Sequence, residues 1–282
     1  MGPGGEPDLL GWTFPCAAVG PWPVGAARSG AERVGWGPEG SRGHAPTIDP
    51  VEAAPLTPLV ERLVAAHAER SPLVVGLGGS VAVGKSTFAD MLARALAPRR
   101  VEVVSTDGFL LPNAVLIERD LFARKGFPES YDEAAIVEFL GRVRTGDPDV
   151  TAPVYSHDVY DVVADRRSVG SPDVCIVEGV NVLRFTDELD VALYLHADEE
   201  HLIAWYSERF VRECRTARED ETSFYRGWAG LPEAEQRALS VEFWAAINHP
   251  NLVDHIAPTA ADADAVVVKG RDHAVIRIEW RA

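Results

Sequence analysis

Short apolar runs alternate along this chain with longer segments whose apolar positions recur at helical spacing. The apolar runs predict buried strands at 73–79, 101–105, 173–178, 191–196, 265–269 and 274–279. The amphipathic segments predict helices from Thr57 to Pro72, from the end of the first strand to Pro98, and over 112–124, 132–144, 198–214 and 232–248. Strands that alternate with helices predict an α/β fold, with a mainly parallel sheet covered by helices on both faces.

Turn-forming residues set the remaining boundaries. Residues 1–48 are dense in Gly and Pro and predict a flexible tail, which leaves 49–282 as one domain. Thr57 before Pro58 is typical of a helix N-cap. The sequence Asn248-His249-Pro250 predicts the end of the helix over 232–248. Residues 150–163 predict a hairpin or an extended excursion from the sheet.

The charge of the chain excludes one class of partner. The 282 residues carry a net charge of −16, and so acidic a surface repels the phosphate backbone of a nucleic acid. The apolar runs are shorter than the roughly 20 residues of a membrane-spanning helix, so we expect no membrane partner. Three widely spaced cysteines fit reduced thiols in the cytoplasm better than a disulfide framework.

The strand at 73–79 leads into a glycine-rich loop with the pattern G-x-x-x-x-G-K-[ST]. Glycines in such a loop let several backbone N–H groups point at one phosphate, and the following helix adds its positive dipole end. The lysine of this pattern reaches the β- and γ-phosphates, and the hydroxyl after it ligates Mg²⁺. The pattern therefore predicts ATP binding by Gly79, Ser80, Val81, Ala82, Val83, Gly84, Lys85, Ser86 and Thr87.

Two further strands end in carboxylates, Asp107 and Glu178. Ligands of open α/β sheets bind at the carboxyl ends of the strands, so both side chains are expected beside the loop. Phosphoryl transfer to an alcohol needs a group that accepts the proton, and Asp107 is the candidate for this base. Glu178 is the candidate to hold Mg²⁺ together with Ser86. A turn-capping role for Asp107 and no role for Glu178 are the alternatives.

Five blocks of sequence together resemble the bacterial type I pantothenate kinases, within the wider group of phosphoribulokinase and uridine kinase. Their order and spacing match those of the family over roughly residues 72–282. The blocks are 79–87, Thr106-Asp-Gly-Phe109 with Pro112-Asn113, Lys125-Gly-Phe-Pro-Glu-Ser-Tyr-Asp132, Ala152-Pro-Val-Tyr-Ser-His157 with Tyr160-Asp161, and Glu178-Gly-Val-Asn-Val-Leu183. The resemblance implies the phosphate-loop NTPase fold, a Mg²⁺- and ATP-dependent kinase of a small primary alcohol, and a homodimer.

The resemblance also assigns roles to single residues. It implies that Asp107 is the catalytic base, that Lys85 acts in catalysis, and that Arg209 meets the transferring phosphate. The acceptor alcohol is expected to contact Asp107, Tyr155, His157, Tyr160, Tyr206 and Asn248, and the adenine is expected near Lys269 and His273. Ordinary roles stay open for three of them: a surface hairpin position for His157, a solvated helix pair for Arg209 and a helix C-cap for Asn248.

Some positions depart from the family pattern. Glu213 and Arg218 stand where the family has a phenylalanine-lined wall beside the acceptor, so they either face solvent or contact a more polar acceptor. Asp90 stands where the family has an arginine that binds the feedback inhibitor coenzyme A. The family's own N-terminal region is not recognisable in residues 1–50.

These features leave more than one function open. The hairpin and Asn248 favour pantothenate as the acceptor. The altered wall and Asp90 favour a different alcohol, such as a nucleoside or a sugar-like intermediate of a specialised pathway. A third hypothesis, a nucleotide-binding regulator without catalysis, is disfavoured because such a protein has no need of the base Asp107.

Overall fold

The computed structural model describes residues 54–220 and 222–281, so the predicted tail 1–48 lies outside the described residues. The order of strands and helices in this part of the chain follows the apolar pattern. Its strands are β1 (Leu73–Gly79), β2 (Val101–Ser105), β3 (Thr151–Ser156), β4 (Asp161–Ser168), β5 (Val174–Glu178), β6 (Val191–His196), β7 (Ala265–Lys269) and β8 (Val275–Trp280).

Six of these strands form one sheet in the order β2-β5-β1-β6-β7-β8. All neighbours in it run parallel except β7 and β8, which are antiparallel. Every residue of β1 and β5 is buried, which requires cover on both faces of the sheet, as in a doubly covered parallel sheet. The predicted α/β fold with a mainly parallel sheet is confirmed.

The helices pack their apolar stripes against this sheet. Among the fully buried side chains are Leu59 and Leu63 of the first helix and Ile136 and Leu140 of the fourth, spaced so that they lie on one helical face. The α-helices are α1 (Thr57–Glu69), α2 (Lys85–Ala95), α3 (Asn113–Glu118), α4 (Glu133–Arg144), α5 (Glu199–Thr216), α6 (Glu233–Phe243) and α7 (His249–Asn251).

The predicted hairpin is present as a separate two-stranded sheet. Strands β3 and β4 pair antiparallel with each other, and no other strand of the described residues joins them. A Cβ placed on Gly108 would lie 2.3 Å from the carbonyl oxygen of Pro153 in β3. The turn Thr106–Phe109 therefore touches the backbone of the hairpin, and only a glycine permits this approach.

Three predicted helix boundaries differ from the structure: the start of α1, the end of α3 and, described in the next paragraph, the end of the helix over 232–248. Helix α1 begins at Thr57 itself, with Leu56 at the cap position. The predicted helix over 112–124 is wrong in part, because α3 ends at Glu118 and Asp120 has a φ of 56°. This left-handed conformation breaks an α-helix but is tolerated by Asp. A 3₁₀ turn, Phe122–Arg124, follows.

The predicted helix end at Asn248-His249-Pro250 is wrong. The chain continues helically through the π turn Trp244–Asn248, α7, the π turn Leu252–Ile256 and the 3₁₀ turn Ala257–Asp262. Pro250 falls near the start of α7 between the two wide π turns. We attribute its tolerance to this position, because a proline disrupts most where a regular α-helical hydrogen bond is required.

Candidate active site

A polar cleft of about 840 Å³ lies at the carboxyl ends of β1, β2 and β5. It is lined by most of the predicted site residues. These are Val81, Ala82, Gly84, Lys85, Ser86, Thr87, Asp107, Tyr155, His157, Tyr160, Glu178, Tyr206, Arg209, Asn248 and His273. Gly79, Ser80, Val83 and Lys269 are not part of the lining. Because parallel strands end at one edge of the sheet, residues far apart in sequence meet there.

The phosphate loop connects β1 to α2 by a left-handed turn. Gly84 at the N-cap of α2 has a φ of 84°, which glycine adopts without strain. Lys85 Nζ donates hydrogen bonds to the carbonyl oxygens of Gly79 and Ser80 at 3.2 and 2.9 Å. Burial lowers the pKa of Lys85, and the carboxylates of Glu178 and Asp107 partly oppose this change. The loop thus presents a cation and backbone N–H groups to a phosphate.

Glu178 and Ser86 meet beside the loop. Ser86 Oγ donates to Glu178 Oε1 at 3.0 Å, and Ser105 hydrogen-bonds to the same carboxyl group. Glu178 is 6% exposed, and burial raises its pKa while nearby Lys85 lowers it. A buried carboxylate next to a hydroxyl offers the oxygen ligands that Mg²⁺ prefers, so these two side chains fit the predicted metal.

Asp107 lies in the 3₁₀ turn that follows β2. The hydroxyl of Ser105 accepts the backbone N–H of Asp107 at 3.3 Å, so Ser105 and not Asp107 caps this turn. The hydroxyl of Tyr131 donates to Asp107 Oδ1 at 3.4 Å. Burial, and then the charge of Asp107, hold the pKa of Tyr131 well above its usual range, so it stays a donor. The carboxylate is therefore held at the cleft with capacity to accept a proton.

The predicted acceptor residues beside Asp107 come from three separate parts of the chain: the hairpin, helix α5 and the π turn before α7. The side chain of Asn248 hydrogen-bonds to the hydroxyl of Tyr206, although burial raises the pKa of that hydroxyl overall. On the hairpin, the ring of Tyr155 contacts those of His157 and Tyr160, with centroids 5.2 and 6.2 Å apart. Asn248 belongs to the π turn before α7, so the C-cap alternative for this residue is wrong.

The turn Phe224–Trp228 contacts the tip of the hairpin. The ring of Phe224, in the 3₁₀ turn Phe224–Trp228, stacks on Tyr160 with centroids 4.0 Å apart. Its backbone N–H donates to the carbonyl oxygen of Asp158 at 3.3 Å. The rings of Phe224, Tyr225 and Trp228 contact one another. Of these three residues, Tyr225 lines the cleft, and Phe224 joins the cluster to the hairpin.

Lys125 was not among the predicted site residues, but it lines the cleft. Its ammonium group donates to Asn113 Oδ1 at 2.7 Å and to the Tyr160 carbonyl at 2.5 Å, and lies 4.1 Å from the centroid of the Tyr160 ring. Burial lowers the pKa of Lys125 to about 8. The sequence does single out Lys125, because its only lysines are Lys85, Lys125 and Lys269. Lys125 fixes the hairpin tip to α3.

Helix α5 contributes the basic residues Arg209 and Arg212 to the lining of the cleft. Arg209 lines the cleft, and its positive charge acts on Lys85. One turn further along, Glu213 also lines the cleft, and Arg212 NH2 lies 3.9 Å from Glu213 Oε1. Arg218 instead turns back, and its Nε donates to the Ala229 carbonyl at 3.0 Å. Of Glu213 and Arg218, only Glu213 lines the cleft.

Both predicted adenine neighbours, His273 and Lys269, lie beside Trp205. His273 stacks on the indole ring with centroids 3.9 Å apart, and both rings line the cleft. Burial lowers the pKa of His273, and the charge of Lys269 adds to this effect. Lys269 lies beneath the phosphate loop, where its Nζ donates to the Val83 carbonyl at 2.9 Å.

The fold and the cleft define a phosphate-loop kinase. No family model matches the chain, but curated relatives do. The pantothenate kinase of Sorangium cellulosum is 46% identical over 226 residues, covering 75% of this chain and 73% of the relative. That of Cutibacterium acnes is 45% identical over 225 residues, covering 73% and 69%. The chain therefore belongs to the pantothenate kinase family, as its motifs predicted, and it is a kinase; ATP use follows from this class.

Solved structures agree on the fold. D-glycerate 3-kinase from Cryptococcus neoformans superposes with a TM-score of 0.56 at 14% identity, covering 80% of this chain and 99% of that one. At this identity the likeness concerns the architecture alone. In the described part of the chain, no helix has the length and apolarity needed to cross a bilayer. The homodimer and the cytoplasmic location stay predictions from the sequence.

Proposed function

We propose that this protein phosphorylates the primary hydroxyl of pantothenate with ATP and Mg²⁺. The observation that carries the proposal is the convergence in one cleft of the phosphate loop, Asp107, and the Tyr206–Asn248 pair. Such a cleft offers a base and polar groups for an alcohol next to the site of a γ-phosphate. The relatives that share 42–46% of their residues with this chain carry the name pantothenate kinase.

In the proposed reaction, the acceptor oxygen forms a bond to the γ-phosphorus while the bond from that phosphorus to the β,γ-bridging oxygen breaks. ADP leaves with the bridging oxygen, and the proton of the acceptor hydroxyl passes to the carboxylate of Asp107. Lys85 and Arg209 neutralise the charge on the transferring phosphoryl group. Guanidinium geometry suits Arg209 to the γ-phosphate oxygens. Tyr206 and Asn248 orient the acceptor.

Ser86 and Glu178 are the residues that would hold Mg²⁺. The support is chemical: one hydroxyl and one buried carboxylate meet at 3.0 Å beside the loop. The ion would supply positive charge to the β- and γ-phosphates. Glu178→Gln keeps the shape of the side chain but removes its charge, so this variant should require a higher Mg²⁺ concentration for half-maximal turnover.

A turnover assay over a panel of alcohols tests the proposal. Purified protein with ATP and Mg²⁺ is offered pantothenate, nucleosides and simple sugars, and the phosphorylated product is identified by mass spectrometry. Pantothenate should give the highest kcat/KM. The variant Lys85→Ala provides the background, because it lacks the cation of the loop. A different alcohol with a higher kcat/KM would replace pantothenate as the substrate.

One observation supports a second candidate, a kinase of a different alcohol. The carboxylate of Glu213 lines the acceptor end of the cleft within electrostatic range of His157 and Tyr225. Pantothenate is itself a carboxylate, so like charges would meet if its acid end pointed toward Glu213. The same panel separates the candidates, and Glu213→Gln should raise kcat/KM for pantothenate only if the two carboxylates lie close together.

A further inference from the structure

Lys269, the last residue of β7, lies directly beneath the phosphate loop. Lys269 is 6% exposed, and its Nζ donates a hydrogen bond of 2.9 Å to the carbonyl oxygen of Val83. A Cβ placed on Gly84 would lie 2.9 Å from the same Nζ. The ammonium group therefore contacts the loop at the peptide unit that joins Val83 to Gly84.

The orientation of this peptide follows from that contact. The peptide bond between Val83 and Gly84 is trans. In a planar trans peptide, the C=O and N–H groups point in opposite directions. Because the carbonyl of Val83 points at Lys269, the N–H of Gly84 points away from it. Gly84 lines the cleft. Lys269 thus holds the peptide with its positive end turned away from β7.

Lys269 and Lys85 hold different halves of the loop. Lys85 Nζ binds the carbonyls of Gly79 and Ser80, at the start of the loop, whereas Lys269 binds that of Val83, at its end. An ammonium group on a peptide carbonyl also polarises the peptide, which strengthens its N–H as a donor. The two lysines together prepare the loop for an anion.

The charge of Lys269 is unbalanced within the described part of the chain. No carboxylate there lies within 4.0 Å of its Nζ, whereas many exposed cations of this acidic protein have such partners. The ring of Trp205 is its aromatic neighbour, at 5.9 Å. Burial lowers the pKa of Lys269, and a buried cation without a counter-ion is costly. A polyphosphate on the other side of the loop would supply the missing negative charge.

We propose that Lys269 is a positioning residue for the phosphate loop, whose ammonium group orients the Val83–Gly84 peptide and is balanced by the phosphates of the nucleotide. This inference rests on the proposed use of ATP. It replaces the expected contact with adenine by a contribution to the phosphates. Lys269 should consequently matter for nucleoside di- and triphosphates and not for nucleosides.

Binding measurements without an acceptor test this inference. Calorimetry gives the affinities of wild type, Lys269→Met and Lys269→Gln for ADP and for adenosine. Met keeps the length of the side chain without charge, and Gln keeps a donor for the Val83 carbonyl. Both variants should bind ADP about tenfold or more weakly, the usual scale of one charge-assisted contact, and adenosine as wild type does. His273→Ala is the matched control and should weaken both ligands equally.

The binding results separate a failure of the inference on Lys269 from a failure of the proposed function. An ADP affinity of Lys269→Gln within about twofold of wild type overturns the inference, and so does an equal loss for ADP and adenosine, which indicates a general defect of the site. If Lys269→Met fails to fold, Lys269→Gln alone decides. Wild-type protein that binds neither ligand overturns the proposed function as well. Failure to phosphorylate pantothenate while ADP is still bound affects only the choice of acceptor.

Discussion

The substitution Asp107→Asn tests the proposed base with little change in shape. The backbone N–H of Asp107 is held by Ser105 Oγ at 3.3 Å, and its carbonyl accepts the N–H of Leu110 at 3.2 Å. Both contacts survive in the variant, and an amide oxygen can still accept from Tyr131. We therefore expect the free energy of unfolding to change by less than about 0.5 kcal/mol.

The expected loss of activity is much larger. An amide cannot take the proton of the acceptor hydroxyl, and removing a positioned general base lowers turnover by about 10²–10⁴-fold. This loss corresponds to about 3–5 kcal/mol of transition-state stabilisation. Tyr131→Phe removes only one hydrogen bond, whose 3.4 Å length is near the outer limit for such bonds. Its effect on kcat should stay below about tenfold, because a hydrogen bond to the Asp107 carboxylate at this length is weak and contributes about 1 kcal/mol.

The assay measures kcat at saturating pantothenate and ATP, together with ADP affinity by calorimetry. Asp149→Asn is the control, since Asp149 is exposed and is not part of the cleft lining. ADP affinity should be the same in all three variants. If Asp107→Asn keeps kcat within about tenfold of wild type, Asp107 is not the base. If it loses ADP affinity as well, its role is structural.

Further predictions concern catalysis, pH, regulation and the N-terminal tail. Lys85→Ala should abolish phosphoryl transfer without unfolding the protein, and a folded variant with normal turnover would contradict the role of the loop. Burial lowers the pKa of Lys125 to about 8. As the pH rises through this value, Lys125 loses its positive charge, so the KM for the acceptor should rise. The variant Lys125→Met should not show this pH dependence. Coenzyme A should not compete with ATP at micromolar concentrations, because the carboxylate of Asp90 on α2 repels a pyrophosphate; micromolar inhibition at low ATP would refute this. A truncation that removes residues 1–48 should keep full activity, and a loss of turnover would show that the tail contributes to the site.

The sequence predicts the site residues well where each functional group directly follows a strand in the chain. An apolar run that ends in Gly79 or Glu178 predicts both a strand and the polar group at its carboxyl end, and the structure has both. Parallel pairing then brings these groups together without any further information, since β1 lies between β5 and β6. The phosphate loop, Asp107 and Glu178 could therefore be placed correctly from residue types and spacing.

Contacts between distant segments could not be predicted in the same way. Lys125 binds the carbonyl of Tyr160, which is 35 positions away, and Lys269 binds that of Val83, 186 positions away. Neither contact leaves a periodic trace in the sequence. Pro250 misled the prediction for a related reason, because the π turns around it depend on how the whole segment packs over the cleft.

The hairpin of β3 and β4 has a consequence for how this family can diversify. It carries Tyr155, His157 and Tyr160, yet it shares no strand pairing with the six-stranded sheet in the described residues. Mutations at its tip, or in the turn Phe224–Trp228 that stacks on it, can therefore accumulate without disturbing the loop that handles phosphate. The part of the chain that is expected to recognise the alcohol can therefore change in sequence while the phosphate loop on the six-stranded sheet stays the same.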